Sequence, residues 1–450
     1  MARRGIESGD AETRREFLTP LCQLRASERG DSAAGILARR AVAKNGHRAS
    51  AERGGAETRR EFLQTLGAGA CAVCAAGVVG GSASAQADDW RAQTAVHDAL
   101  WFDRLADKAV RCTLCPRECV VADVERGYCG VRENRGGDYK TLVYGNLCTI
   151  NADPIEKKPL FHYLPGTQAL SVATAGCNME CKFCQNWEIS QFRPEQVRSL
   201  LVPPENLVQT AAARGIPTIA YTYSEPVVFY EYMHDTAAAG RAKGVGSVMI
   251  SNGYIREAAI RQLCKHLTAV KIDLKAFTEK FYEDQCAAQL APVKKALEVL
   301  ADVGIHTEVV VLLVPALNDS PAEVREMAKW LVKALGPDVP VHFSRFHPTY
   351  RMKNLPPTPV ETIDRARKIA MDAGLRYVYV GNVPFHEGES TYCASCGKPA
   401  IRRVGYRVDA SGMKDGACAA CGAKIPGVWT QDEALRFKPK EKPQPSPAAP

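Results

Sequence analysis

Three thiols lie on one short loop: Cys177, Cys181 and Cys184, in the run Ala-Thr-Ala-Gly-Cys-Asn-Met-Glu-Cys-Lys-Phe-Cys-Gln-Asn-Trp. A cubane iron–sulfur cluster has four irons and ordinarily takes four thiolates. Three thiolates on a C-x3-C-x2-C loop leave one iron without a protein ligand, and an open coordination position separates a catalytic metal site from a structural one. A chelating substrate suits that position, and the aromatic Phe183 beside the third thiol is suited to pack on a flat ring. Zinc sites usually present cysteines in pairs, not as an uneven triplet closing a strand.

Two further thiol groups flank this loop. Cys112, Cys115, Cys119 and Cys129 supply four ligands within a short stretch, enough for tetrahedral zinc or for a complete second iron–sulfur cluster, and spacing does not choose between them. Cys393-x2-Cys396-Gly and Cys418-x2-Cys421-Gly read as the two knuckles of a zinc ribbon, with a rubredoxin-like iron as the other occupant. A bound ion would fold such a module, which has little core of its own. Cys148, Cys264 and Cys286 stand alone and read as packed or free thiols.

The elements that must position these groups follow a strand–helix alternation. Short apolar runs at 170–175, 217–223, 245–252, 269–274, 307–314, 339–346 and 375–381 read as strands. Periodic segments at 205–214, 257–266, 293–303, 322–335 and 360–373 read as the helices between them. Such alternation implies a parallel sheet with helical crossovers, open or closed partway into a barrel, with functional groups at the C-terminal strand ends. Candidates there are Ser224 and Glu225, Ser251 and Asn252, the Lys271/Asp273/Lys275 face, and His342 and His347. Ser224 and Glu225 also fit a helix cap and first turn. Lys157, Lys158 and His162 crowd one segment before the triad, as holders of an anion or as a solvated turn.

The triad loop resembles the signature of the radical S-adenosylmethionine (SAM) superfamily. The ordered set Cys-x-x-Cys-Pro…Gly-Tyr-Cys-Gly-Val-Arg, Asp153-Pro-Ile-Glu-Lys-Lys-Pro-Leu-Phe-His162, the triad, Tyr-Thr-Tyr-Ser-Glu-Pro, and Gly405-Tyr…Ile425-Pro-Gly-Val-Trp429 resembles, over residues 98 to 432, the radical SAM component of the AmmeMemoRadiSam system. That group is related to pyruvate formate-lyase activating enzymes. The resemblance implies an α/β fold, a partial (β/α)6 radical SAM barrel over 166–390. An N-terminal Cys-rich extension (98–165) precedes it, and a zinc-ribbon-like module (391–432) follows.

It also implies an enzyme whose [4Fe-4S] cluster, held by Cys177, Cys181 and Cys184, binds SAM at its open iron. One electron then cleaves SAM to a 5′-deoxyadenosyl radical. The family's SAM-contacting positions fall on Phe183, Ser224, Glu225, Ser251, Asn252, Asp273, Lys275 and His347. The acid that precedes Asn-Gly in the activating enzymes is replaced by Ile250-Ser251. Implied partners are a flavodoxin- or ferredoxin-type low-potential donor and Memo-like and AMMECR-like proteins, with the substrate unidentified. The alternatives are a glycyl-radical-enzyme activase and, in a different class, a multi-cluster electron-transfer or metal-binding protein with four protein ligands at every cluster.

Composition agrees with a large metal-bearing enzyme. The chain has 450 residues, 17 cysteines and a net charge of +8 without a basic, aromatic-interleaved stripe, which argues against nucleic-acid binding. Eleven of the cysteines fall in the three clusters, a pattern of metals and reducing assembly, not of a disulfide scaffold. Residues 1–87 read as a leader, mostly disordered. Thr58-Arg-Arg-Glu-Phe-Leu is followed by a small-residue apolar stretch and Ala-x-Ala, which resembles a twin-arginine signal. Assembly in the cytoplasm with export to the periplasm is the implied route, with no transmembrane segment beyond the signal. The octapeptide at 56–63 also occurs at 11–18, so the first 55 residues read as a duplicated fragment or an over-extended start. Residues 433–450 are Pro- and Lys-rich and read as a disordered tail.

Overall fold

The computed structural model describes residues 95–440, which fall within one compact unit. The leader and its signal-like segment lie outside the described residues, as do residues 441–450.

The centre is an eight-stranded sheet. Its strands are β1 (Thr149–Pro154), β2 (Gln168–Ala173), β3 (Thr218–Tyr221), β4 (Gly246–Ser251), β5 (Ala269–Asp273), β6 (His306–Leu313), β7 (Val341–Arg345) and β8 (Val378–Gly381). They lie side by side in chain order; β2 to β8 are parallel, and β1 runs antiparallel along the edge of β2. All seven runs read from the sequence as strands form, because each is largely buried on both faces and therefore mostly apolar.

The crossovers are α2 (Pro204–Ala213), α4 (Glu257–Leu263), α6 (Leu290–Val303), α7 (Pro321–Leu335) and α8 (Val360–Asp372), with a single turn α1 (Trp187–Ser190) after the triad loop. Two more helices join them, α3 (Tyr230–Ala242) and α5 (Glu279–Cys286). Their ends follow local chemistry. The Ser320 hydroxyl accepts from the Glu323 amide to cap α7, and Pro321 occupies its first position. Gly304, at φ +78°, ends α6.

The N-terminal extension is built into this body. It supplies β1, and its buried Arg132 forms an ion pair with buried Glu231 of α3. The segment after β1 and the C-terminal module together cover the N-terminal ends of the strands. The Tyr163 hydroxyl meets Thr268, just before β5, at 2.7 Å, and Tyr163 bridges Val428 as a parallel pair. Arg403 of the module donates to the Phe161 carbonyl at 2.7 Å. Phe161, Tyr377, Tyr379, Cys393, Ala400, Cys418 and Ile425 form one small apolar core across that junction.

Residues 433–440, read from the sequence as part of a disordered tail, are ordered. Gln431–Arg436 is a helix, α9, started by a reciprocal capping box between Thr430 and Glu433. Arg241 donates to the carbonyls of Leu435 and Phe437, both at 2.9 Å, and the Lys440 amide donates to Val303. Order therefore continues past residue 433 because side chains of the main body take up the backbone groups of the segment. Among the described residues, no helix is long and apolar enough to cross a membrane.

Candidate functional site

The triad loop leaves the C-terminal end of β2 through Gly176, whose φ of +101° belongs to the left-handed region. Cys177, Cys181 and Cys184 are each half-buried, and the Met179 amide points at Cys177 Sγ (3.4 Å). Burial pushes the Cys177 and Cys184 thiols up. Phe183 is buried and packs against Phe281 of α5 at 5.8 Å between ring centres, so its ring serves the protein interior.

Around this loop stand the ends of β3, β4 and β5. Glu225 is buried, and its carboxylate is heavily used. One oxygen accepts from the Val227 amide (3.0 Å) and the Ser251 hydroxyl (2.6 Å), the other from the Asn252 amide (2.9 Å). Burial raises its carboxyl to about 7, and these hydrogen bonds partly oppose the rise. The cap at the start of the following turn is thus Glu225, not Ser224. Ser224 Oγ is buried and has no hydrogen-bond partner among the described residues.

Asn252 connects the β4 end to the triad. Its side-chain Nδ2 lies 2.9 Å from Asn178 Oδ1 and 3.9 Å from Cys177 Sγ. On β5, Asp273 is gripped by Lys271 through one oxygen and by Lys275, at 2.9 Å, through the other. The pair of ammonium groups holds Asp273 down to about 2, and Lys275 is raised by Asp273 and by the neighbouring Cys181. Strand alternation thus puts the three charges together as the sequence suggests.

Other candidates lie elsewhere. His347 is exposed, two residues beyond the end of β7. His342 is buried near the start of β7 and donates to Glu308 at 2.7 Å. Glu308 also accepts from His306 Nε2 and from the amides of Phe161 and His162; against the upward push of burial, His306 and His342 hold its carboxyl far below the usual range. His162 is no anion holder. Its Nδ1 donates to the Pro426 carbonyl (2.6 Å) and its Nε2 accepts from the Tyr379 hydroxyl (2.5 Å), while burial lowers it to about 4 and keeps it neutral. Lys157 and Lys158 both pair with Asp153.

Two residues have roles that a sequence reading misses, one beside the triad and one at the far end of the sheet. Cys286, the last residue of α5, hydrogen-bonds to Cys181 and draws that thiol down, a contact across about a hundred residues with no local signal. Glu308 had one: a charge inside an otherwise apolar strand run needs a buried partner.

The residues around the triad fit an iron–sulfur cluster with a polar ligand. Three sulfurs come from one loop, and an unpartnered buried hydroxyl, Ser224, sits beside the Glu225 cap on the same strand end. Among the described residues, the thiols that converge within 4.8 Å of one another, as around a single ion, are Cys393, Cys396, Cys418 and Cys421. This C-terminal group can hold a metal.

The family profile described as the Radical SAM superfamily matches residues 171–331. The uncharacterized protein MJ0808 of Methanocaldococcus jannaschii is 42% identical over 332 residues, 73% of this chain and 99% of that protein. Among solved structures, a radical SAM methyltransferase from Sphaerobacter thermophilus aligns at TM-score 0.40 and 18% identity, over 53% of this chain and 71% of that one. A domain of a pyruvate-formate lyase-activating enzyme from Bacteroides vulgatus aligns at TM-score 0.33 and 15% identity, over 36% of this chain and 98% of that one.

Proposed function

Because this chain belongs to the radical SAM superfamily, in one family with MJ0808, we propose that it is an enzyme that binds a [4Fe-4S] cluster at Cys177, Cys181 and Cys184 and cleaves SAM reductively to act on an unidentified substrate. The observation that carries this reading is the triad itself, with three sulfurs on one loop, ringed by the polar ends of β3, β4 and β5. Bound there, the cluster supplies one low-potential electron to a sulfonium C–S bond. The chain's own part is to hold and shield. Asn252 approaches Cys177 and braces Asn178, and Glu225 ties the β3 and β4 ends together. Ser224 Oγ offers a buried donor or acceptor to a polar group of SAM. By the family resemblance, Asp273, fixed between Lys271 and Lys275, would serve the carboxylate and ribose side of SAM, and His347 its adenosine. The sheet is read as a partial barrel around this site.

For the C-terminal thiols, zinc is the proposed occupant. Cys393–Cys421 and Cys396–Cys418 are each 3.7 Å apart between sulfurs. A tetrahedron with Zn–S bonds of about 2.3 Å has edges of about 3.8 Å. The ordered motifs support membership of the AmmeMemoRadiSam system, with Memo-like and AMMECR-like proteins as partners and a flavodoxin- or ferredoxin-type protein as donor.

The test is anaerobic cluster reconstitution, reduction with dithionite, and assay of 5′-deoxyadenosine formed from SAM. Alanine at any triad cysteine should abolish the product. Wild-type protein with an intact cluster that makes none refutes the assignment.

A further inference from the structure

The N-terminal extension contains a second place where sulfur is gathered. Cys112 ends a short strand, Cys115 and Cys119 lie on the turn after it, and Cys129 lies on the loop before the strand Arg132–Arg135. With Arg132 and Asn178 they line one small cavity of about 20 Å³, partly open to solvent. Backbone and guanidinium N–H groups aim at the sulfurs: the Tyr128 amide lies 3.5 Å from Cys119 Sγ, and Arg132 Nη1 lies 3.7 Å from Cys112 Sγ. Donors directed at sulfur stabilise charge on a thiolate.

The spacing of these thiols separates them from the C-terminal four. Cys393, Cys396, Cys418 and Cys421 converge within 4.8 Å of one another, close enough for one tetrahedral ion; the N-terminal quartet is not a group of that kind, and neither is the triad. Four thiols that line one pocket without converging on a single point match ligands spread over several irons.

This cavity abuts the triad loop. Arg117, on the quartet turn, donates to the Asn178 carbonyl at 3.0 Å, and Asn178 is bonded directly to Cys177. On the other side, a Cβ at Gly176 would stand 3.1 Å from the Cys129 carbonyl and 2.6 Å from Val131, so only glycine lets the two loops approach so closely.

We propose that Cys112, Cys115, Cys119 and Cys129 ligate a second iron–sulfur cluster, fully held by protein, which passes single electrons from an external low-potential donor to the cluster at Cys177, Cys181 and Cys184. Each transfer oxidises the donor by one electron and returns the relay to its starting state. With all four corners occupied by protein, this site takes no substrate. The relay role rests on the radical reading above; the composition of the site does not.

Two variants of the full chain test it after anaerobic reconstitution: the triple C177A/C181A/C184A, which keeps the quartet whole, and the double C112A/C119A, which keeps the triad whole. The triple variant should retain iron and acid-labile sulfide in about equal amounts, and the double variant should hold less of both than wild type. Zinc without sulfide in the triple variant overturns the site, as does a double variant with the wild-type iron and sulfide content. With dithionite the double variant should form 5′-deoxyadenosine at close to the wild-type rate, and with reduced flavodoxin at least about tenfold more slowly. Equal rates with flavodoxin, or equal loss with both reductants, overturns the relay. If the wild-type protein with an intact triad cluster cleaves no SAM with either reductant, the radical reading fails, while sulfide in the triple variant still decides whether the quartet holds a cluster.

Discussion

The Ser251 hydroxyl donates to Glu225 at 2.6 Å, so the ends of two neighbouring parallel strands are joined by a buried carboxylate that also takes the Asn252 and Val227 amides. Removing the carboxylate leaves those two amides and the hydroxyl without acceptors. Glu225→Ala should therefore destabilise the protein by about 3 kcal/mol or more, and Ser251→Ala by about 1 kcal/mol. Urea unfolding of the two variants checks the order; a Glu225→Ala protein as stable as wild type would contradict this role.

Cys286 donates to Cys181 and is not needed as a cluster ligand. Cys286→Ala should keep the cluster and SAM cleavage within about threefold of wild type, and should lower the midpoint potential of the triad cluster, because a donor to a ligand sulfur is lost. A cluster that vanishes in this variant alone, with the fold intact by circular dichroism, would make Cys286 a fourth ligand and remove the open iron.

Asp273 neutralises two ammonium groups in a nearly closed setting. Asp273→Ala leaves Lys271 and Lys275 facing each other without a counter-ion, and breaking such a pair costs about 3 kcal/mol. Asp273→Asn should recover part of this by keeping the hydrogen-bond acceptor. Thermal melts of both variants distinguish charge from shape.

Acid should loosen the attachment of the C-terminal module. His162 is neutral in the fold, with its pKa lowered from 6.5 to about 4. The unfolded chain therefore binds more protons between these values, and stability falls as pH drops from about 6.5 to 4, by about 3 kcal/mol. Glu308 has the depressed pKa of a bonded carboxylate, so its contribution is complete above its unfolded pKa and is lost as pH falls below it. Both act in the same direction. The urea midpoint should decline across this window, and His162→Gln should flatten the part above pH 4.5; an unchanged slope in that variant would rule His162 out.

Chelation should unfold residues 391–430 locally. Trp429 packs against His162 and donates to the Ile425 carbonyl at 3.0 Å, so its fluorescence reports on the module. Removing the metal should shift that emission and speed amide exchange in this stretch, while the central sheet stays protected. No change on metal loss would mean that the small core at the junction holds the module without an ion.

The seven parallel strands and the triad were legible because both depend on near neighbours in sequence: apolar runs of fixed length, and thiols on one loop. Helix α3 was harder to see, because its buried face carries Glu231, a charge made tolerable by Arg132 about a hundred residues earlier. His342 stood beside His347 among the strand-end candidates, and there too the deciding partner is remote in sequence. A histidine on a strand near a site invites that reading, and only the distant Glu308 shows it to be part of the packing at the opposite end of the sheet. The order beyond residue 433 was missed because Arg241, on another helix, satisfies backbone groups that composition alone would leave to water.

Strand β1 runs antiparallel along what would otherwise be the bare margin of the parallel sheet. A shortened version starting at residue 166, just before the triad strand, would uncover the amides and carbonyls of β2 to any passing chain. Excision of the catalytic part alone is then a recipe for insoluble protein, and a working minimal enzyme has to begin upstream of Thr149.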